Sequence, residues 1–231
     1  MSAQLHAQKD RLYELFARIG HALANPHRLE LIDLLAQAPR TVEELAGEAH
    51  MSVANTSQHL QRLKQARLVQ AEREGVHIRY RLADPVVADL WLNLRAVAAH
   101  QLAEVEQALD AYRTRRHEFE QIPADVLLTR LRQDEVVLLD VRPEIEYQAG
   151  HLPEARSIPV DELERRLAEL PPDKTVVAYC RGPYCVFADD ALTVLAQTGR
   201  PVARLEEGVW EWRQAGYEAM VHQFTQGASQ A

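Results

Sequence analysis

Cysteine is scarce in this sequence, which has two cysteines in 231 residues, Cys180 and Cys185. Two thiols in one short stretch do not form the disulfide framework of a small secreted protein. The chain also lacks an apolar run of about 18 residues, the length that predicts a transmembrane helix. Its N-terminus lacks the basic-then-apolar pattern of a signal peptide. Together these absences predict a cytoplasmic protein.

Acidic side chains are missing from residues 49–71, although the chain as a whole carries a formal net charge of −8. The same stretch contains Arg62, Lys64 and Arg67, together with two histidines. An acid-free segment inside an acidic protein favours contact with a polyanion such as nucleic acid.

Two short helices joined by a tight turn are predicted just before and within this stretch. Thr41 and Glu44 have the spacing of a capping box for the first helix, and Ser52 precedes a second helix over residues 53–65. This is the helix-turn-helix pattern, in which short polar side chains of the second helix contact base edges or phosphates. The alternative is a solvated polar helix face. The predicted DNA-contacting residues of this part are Ser52, Asn55, Thr56, Ser57, Gln58, His59, Arg62 and Lys64.

Residues 68–82 alternate on both sides of Glu74 and Gly75, which predicts a β-hairpin. Its second strand places His77, Arg79 and Arg81 on one face. We therefore expect a wing against the DNA backbone, and we add His77 and Arg79 to the predicted DNA contacts.

Residues 23–32 and 57–64 resemble the ArsR/SmtB family of winged-helix repressors, and the resemblance extends over residues 5–115. It implies a homodimer that binds double-stranded operator DNA and releases it on a chemical signal. Many metal-sensing members carry cysteines in the helix that here begins at Val42, where this chain has no thiol. We therefore predict no metal site, with a metal-responsive repressor as an alternative.

An apolar pattern from Val86 to about Glu120 predicts one long helix. A stripe of that length needs a partner, so this helix and the helix over residues 5–23 are the predicted dimer surface. Because no Gly/Ser-rich linker follows, we expect the helix to run into a second domain and to couple the two domains stiffly.

Cys180 follows a β-branched apolar run at residues 175–179 and precedes a helical pattern that begins at Phe187. Unpaired N–H groups at a helix N-terminus favour a thiolate, whose pKa falls from ~8.5 to roughly 3.5–7.5 in such sites. We expect Arg181 to add positive charge and Gly182 to let the backbone approach the sulfur. The alternatives are two buried structural cysteines, or a zinc pair with His151 nearby.

This loop resembles the active-site loop of rhodanese-like sulfurtransferases, and residues 123–222 agree with that family. Residues 136–142 look like its strand ending in Asp140 and Arg142, and residues 150–155 like its next signature. The resemblance implies that Cys180 carries a persulfide, and a phosphatase is disfavoured because Val186 stands where an arginine would bind phosphate. Cys185 is an unusual residue at its position and offers a resolving thiol. The predicted catalytic residues are Cys180, Arg181, Cys185, Asp140 and Arg142.

The sequence thus predicts a mainly α winged helix-turn-helix domain over residues 1–117, an α/β rhodanese-like domain with a central parallel sheet over residues 118–222, and a tail over residues 223–231. We predict a DNA-binding repressor controlled by sulfur chemistry, with thiosulfate or polysulfide as donor. No cofactor is expected beyond the sulfur carried on Cys180, and no membrane partner. The alternative is a weak thiosulfate-type sulfurtransferase whose first domain localises it on DNA.

Overall fold

The computed structural model describes residues 3–220, and the chain divides into two compact units between Gln101 and Leu102. This division precedes the predicted boundary at residue 117, and the predicted tail at residues 223–231 lies outside the described residues. None of the helices in residues 3–220 is long and apolar enough to cross a membrane.

The first unit has the winged helix-turn-helix arrangement that the sequence predicts. Its elements are α1 (Ala3–Leu23), α2 (Pro26–Gln37), β1 (Arg40–Thr41), α3 (Val42–Glu48), α4 (Val53–Gln65), β2 (Val69–Glu74), β3 (His77–Leu82) and α5 (Pro85–Gln101). The strands form an antiparallel sheet in the order β1-β3-β2. The β2–β3 hairpin, which turns at Gly75, is the predicted wing.

Side-chain caps fix the starts of the helices in this unit. Oγ1 of Thr41 accepts from the N–H of Glu44 at 3.2 Å, and the Glu44 carboxylate accepts from the N–H of Thr41 at 2.7 Å, so the predicted capping box is present. Oγ of Ser52 accepts from the N–H of Asn55 at 3.3 Å and begins α4 as predicted. Each such cap contributes about 1 kcal/mol of stability.

Packing in the core of the first unit determines which face of α4 is exposed to solvent. Leu31, Ile32 and Leu45 are fully buried, as are Leu60 and Leu63 of α4. Burying one such side chain contributes about 1.5–3 kcal/mol. Because Leu60 and Leu63 lie about one turn apart, the opposite face of α4 is left to solvent.

The second unit is an α/β fold around a parallel sheet, as predicted. Its elements are α6 (Ala103–Tyr112), β4 (Glu120–Ile122), α7 (Ala124–Arg132), β5 (Val136–Asp140), α8 (Glu144–Ala149), β6 (Arg156–Ser157), α9 (Leu163–Arg166), β7 (Thr175–Tyr179), α10 (Phe187–Gln197), β8 (Val202–Leu205) and α11 (Val209–Gln214). The strand order is β4-β8-β7-β5-β6, and every pairing is parallel. In such sheets ligands bind beyond the carboxyl ends of the strands.

The prediction of one helix from Val86 to about Glu120 is wrong. The helical path breaks at Leu102, which is extended (φ −115°, ψ 103°), and α6 ends at Tyr112. A 3₁₀ turn at Arg116–Glu118 and strand β4 follow. Tertiary contacts override the apolar repeat here: α6 buries none of its residues, whereas Arg116, in the segment after it, bonds to the backbone of Cys185 in the same unit. The predicted stiff helical connection into that unit is therefore absent.

Candidate functional site

Cys180 lies in the loop between β7 and α10, at the carboxyl end of the parallel sheet. Its side chain is buried, whereas Cys185 at the other end of the loop is half-buried, and both are free thiols. As a thiol, Cys180 can donate to the carbonyl oxygen of Cys185, 3.6 Å from its Sγ. The sequence prediction of a strand-to-helix cysteine loop is confirmed.

Two glycines allow the loop to lie against the segment after β8. Gly182 has φ +108°, a conformation that disfavours other residues. A Cβ on Gly208 would lie 2.6 Å from the backbone nitrogen of Gly182 and 2.7 Å from the carbonyl carbon of Arg181. The backbones at Gly182 and Gly208 are thus in direct contact, which holds the loop curled around the two sulfurs.

Arg204 of β8 lies beneath the loop and contacts the Cys180 sulfur. Its Nη2 is 3.8 Å from Cys180 Sγ and also donates to the carbonyl oxygens of Gly182 and Cys185, at 3.1 and 3.3 Å. Its Nε lies 2.9 Å from Oδ1 of Asp189, on α10. One buried guanidinium therefore joins the sulfur, the loop backbone and the following helix.

The pKa values of the two cysteines move in opposite directions. Burial would raise the pKa of Cys180, but the hydrogen bond from the Cys185 thiol, the charge of Arg204 and the N–H of Ala188 outweigh it and lower the pKa to about 7. The hydrogen bond to Cys180, together with burial, raises the pKa of Cys185 well above its usual value. Cys180 is thus the more acidic of the two thiols and Cys185 the less acidic, an order that suits a nucleophile and its resolving partner.

Arg181, predicted to supply positive charge to Cys180, has a different partner. Its Nε donates to both carboxylate oxygens of Glu146, at 3.0 and 3.1 Å, and the Glu146 side chain is fully buried. The Arg181 charge is therefore neutralised locally, and the expectation needs correction: Arg204 is the cation that contacts the sulfur. The sequence does contain a signal for Arg204: this arginine stands inside the apolar run of β8, and a buried arginine needs an anionic partner.

Asp140 and Arg142 form a buried ion pair at the end of β5, next to β7. Arg142 Nε donates to Asp140 at 2.9 Å, and its Nη2 donates to the carbonyl oxygen of Gly150 at 2.7 Å. The Tyr179 hydroxyl donates to Asp140 and accepts from the N–H of Leu152 at 3.1 Å. Because Tyr179 directly precedes Cys180, the pair positions the strand end from which the loop begins.

The exposed face of α4 carries part of the predicted DNA-contacting set. Ser52, Gln58, Arg62 and Lys64 are exposed. Asn55 and Ser57 are half-buried, and Ser52 is also engaged as the helix cap. This face combines amides and hydroxyls with two cations, which matches the mixed contacts of a recognition helix.

Thr56 and His59 face inward, so the prediction that they contact DNA is corrected. Thr56 is fully buried, and its hydroxyl donates to the carbonyl oxygen of Ser52 at 3.0 Å. His59 is 9% exposed, and its ring centroid lies 5.5 Å from that of His27. Burial, with the charge of Arg28, lowers the pKa of His59, which therefore favours the neutral form.

The wing carries its predicted cations, but acidic neighbours balance them. Arg79 Nε lies 2.6 Å from Glu74, and its Nη1 donates to the carbonyl oxygen of Pro39 at 3.2 Å. Arg81 likewise pairs with Glu72 at 2.8 Å. His77 is exposed and faces Glu74 across the hairpin. The predicted contacts of His77 and Arg79 with DNA would therefore compete with these pairs.

The alternative of a metal-responsive repressor requires a metal site. Within residues 3–220, no group of three or more His, Cys, Asp or Glu side chains is arranged to hold a metal ion. The helix that begins at Val42 offers no thiol, and both cysteines lie in the loop of the second unit.

One unit has a helix-turn-helix with a wing, and the other has a cysteine loop at the carboxyl end of a parallel sheet. This combination defines a transcriptional regulator that carries a rhodanese-like domain. Family models agree: residues 25–71 match the bacterial regulatory protein, arsR family, and residues 123–215 match the rhodanese-like domain. The chain is 46% identical over 90% of its length to the HTH-type transcriptional regulator Rv0324 of Mycobacterium tuberculosis, covering 92% of that protein. It therefore belongs to the arsR family of regulators, with a C-terminal rhodanese-like domain.

Each unit also has a relative of its own. The second unit is 32% identical to a sulfurtransferase of Allochromatium vinosum, over 42% of this chain and 90% of that protein. The first is similar to the solution structure of a homodimeric winged helix-turn-helix DNA-binding domain from Mycobacterium bovis. That match has 40% identity and a TM-score of 0.41, and it covers 45% of this chain and 93% of that one.

Proposed function

We propose that this regulator represses transcription by binding operator DNA as a homodimer, and that a sulfane-sulfur donor releases it through Cys180 and Cys185. The observation that carries the sulfur part is the thiol pair itself. A buried sulfur with a pKa of about 7 accepts a hydrogen bond from a second thiol at the other end of the same short loop. Two purely structural cysteines would not need a buried arginine at the sulfur.

The chemistry balances without an external oxidant. The Cys180 thiolate attacks the outer sulfur of thiosulfate, the S–S bond of the donor breaks, and sulfite leaves, which gives a persulfide on Cys180. With a hydropolysulfide, the leaving group is the polysulfide shortened by one sulfur. The Cys185 thiol then gives up its proton and attacks Sγ of Cys180. A disulfide forms, and the outer sulfur leaves with that proton as hydrosulfide.

Dimerisation is supported by apolar side chains that α1 and α5 leave exposed. Phe16 is 65% exposed and Leu12 53% on α1, and Val97 is 59% exposed on α5. Large apolar side chains repeatedly exposed along a helix favour an interaction site. A two-fold dimer would present two α4 helices to half-sites about 34 Å apart.

Operator binding with and without polysulfide tests the proposal. A duplex selected by the protein from a random library serves as the operator, and fluorescence anisotropy measures affinity. We expect polysulfide to weaken binding about ten- to hundred-fold, equivalent to ~1.4–2.7 kcal/mol, and dithiothreitol to restore it. Cys180→Ser should stay bound throughout. If polysulfide releases Cys180→Ser from the operator as readily as the parent protein, Cys180 is not the sensing residue.

A sulfurtransferase is the second candidate, favoured by the low pKa of Cys180 and by the similarity of this unit to a sulfurtransferase. Thiosulfate and cyanide distinguish the two functions, because an enzyme forms thiocyanate over many cycles. We expect slow turnover, since Cys185 diverts the persulfide into a disulfide. Faster thiocyanate formation by Cys185→Ser than by the parent protein is the expected result.

A further inference from the structure

A buried cluster of charges underlies the cysteine loop, and the family resemblance assigned it no role. Arg204 and Asp189 are 1% and 3% exposed. Asp189 forms ion pairs with two guanidiniums: its Oδ1 lies 2.9 Å from Nε of Arg204, and its Oδ2 accepts from Nη2 of Arg116 at 2.9 Å. Arg116 lies in the 3₁₀ turn before β4, outside the residues that match the rhodanese-like model.

The charges in this cluster balance only when the sulfur is anionic. One carboxylate between two guanidiniums leaves one positive charge in excess, and Arg181 does not contribute because it is paired with Glu146. A buried charge without a partner is costly, whereas a compensated one is tolerated. Cys180, in contact with Arg204, is the group that can supply the missing negative charge. The other titratable or charged groups beside this cluster are Cys185, Tyr112 of α6, Asp190, which is exposed, and Arg113, which pairs with Glu106 at 3.7 Å.

We propose that Arg204 binds the anionic sulfur of Cys180, and of the persulfide formed on it, and that Asp189 and Arg116 hold this guanidinium in place. Arg204 touches the reacting atom and is thus a catalytic residue, whereas Asp189 and Arg116 are positioning residues. The same guanidinium bonds the carbonyl oxygens of Gly182 and Cys185 and so keeps the loop closed over the sulfur. This inference rests on the proposed role of Cys180 as the nucleophile.

The pH profile of Cys180 alkylation in the full-length protein tests it. Iodoacetamide is the probe, and mass spectrometry follows each thiol separately, because trypsin cleaves at Arg181, between the two cysteines. In Arg204→Met we expect the inflection for Cys180 to rise by about 1–3 pH units, the shift that an opposite charge within ~4–6 Å produces. Arg204→Lys, which keeps the positive charge, should have an inflection between those of Arg204→Met and the parent protein. Asp189→Asn, which frees the guanidinium, should raise the inflection by less than Arg204→Met does, because the loss of a negative charge near the sulfur offsets part of the effect.

The matched control is Arg200→Met. Arg200 donates to the carbonyl oxygens of Leu167, Leu170 and Pro171 and does not touch the loop, so its loss should leave the inflection unchanged. An unchanged inflection in Arg204→Met overturns the inference. If that variant does not fold, Arg204→Gln is measured in its place, and an unchanged inflection there overturns the inference. The assay needs neither DNA nor polysulfide. If the inflection shifts in Arg204→Met but polysulfide does not release the parent protein from DNA, the role of Arg204 is supported and the proposed function is rejected.

Discussion

Arg116 Nη2 lies 2.6 Å from the carbonyl oxygen of Cys185. Arg116 also donates to the carbonyl oxygen of Pro183, as does Arg113 at 3.3 Å. The segment that leads from α6 to β4 is therefore bonded to the same loop that carries both sulfurs. Closing a bridge between Cys180 and Cys185 requires Cα atoms about 4.4–6.8 Å apart. We therefore expect a change in the loop backbone to alter this segment, which in chain order lies between the DNA-binding unit and the parallel sheet.

Arg116→Met should separate sulfur chemistry from DNA release. We expect polysulfide still to link Cys180 to Cys185 when the reaction is complete, although more slowly because Arg116 helps to hold Arg204. The link is seen as the mass of two cross-linked tryptic peptides. Anisotropy should show that release from the operator is several-fold weaker than in the parent protein. Arg115→Met is the control, because Arg115 pairs with Glu118 at 3.4 Å on the surface and bonds to no loop carbonyl among the contacts described. Full release by Arg116→Met would mean that the signal takes another route.

The reactivity of Cys180 should depend strongly on pH near neutrality, whereas that of Cys185 should not. The thiolate is the reactive form, and for a pKa of about 7 its fraction at Cys180 increases with pH. Between pH 6 and 8 that fraction rises from ~0.09 to ~0.91, so alkylation should accelerate about tenfold. Cys185, with a raised pKa, should remain slow over this interval. Equal rates at the two cysteines near pH 7 would contradict the assignment of Cys180 as the nucleophile.

Gly208→Ala should damage the loop although residue 208 carries no functional side chain. Its Cβ would lie 2.6 Å from the backbone nitrogen of Gly182, so the backbone must move. Overpacking of this kind costs about 1–3 kcal/mol. We expect a lower thermal transition for the second unit and slower sulfur uptake by Cys180. Gly20→Ala is the control, because nothing lies within 4 Å of a Cβ at that helical position. Unchanged uptake and stability in Gly208→Ala would show that the loop tolerates the shift.

The features that the sequence predicts well are local. The capping box at Thr41, the cap at Ser52 and the hairpin around Gly75 each depend on residues a few positions apart, and all are present. The cysteine loop was predictable for the same reason, since a β-branched run, a glycine and a helical repeat surround it. Such signals need no knowledge of which distant segments meet.

The features that the sequence did not reveal depend on distant contacts. Arg204 reaches Cys180 only because β8 lies beside β7, and Arg116 reaches the loop across about 70 residues of sequence. The end of α6 was missed for this reason. The burial of Thr56 could have been read from the sequence, because Thr56, Leu60 and Leu63 repeat at helical spacing and share one face.

The two faces of α4 should respond differently to substitution. Arg62 is exposed, so Arg62→Gln should weaken DNA binding across sequences and reduce the salt dependence of log affinity by about one unit, as the loss of one phosphate contact does. Gln58→Ala, on the same face, should relax base preference more than it lowers overall affinity. Thr56→Val is the matched control: it keeps the shape of a fully buried side chain and removes only the bond to the carbonyl oxygen of Ser52. It should lower stability by about 1 kcal/mol and leave the salt dependence unchanged. Anisotropy titrations at several salt concentrations, with thermal melts, measure both effects. A salt dependence that falls in Thr56→Val and not in Arg62→Gln would mean that the opposite face of α4 meets the DNA.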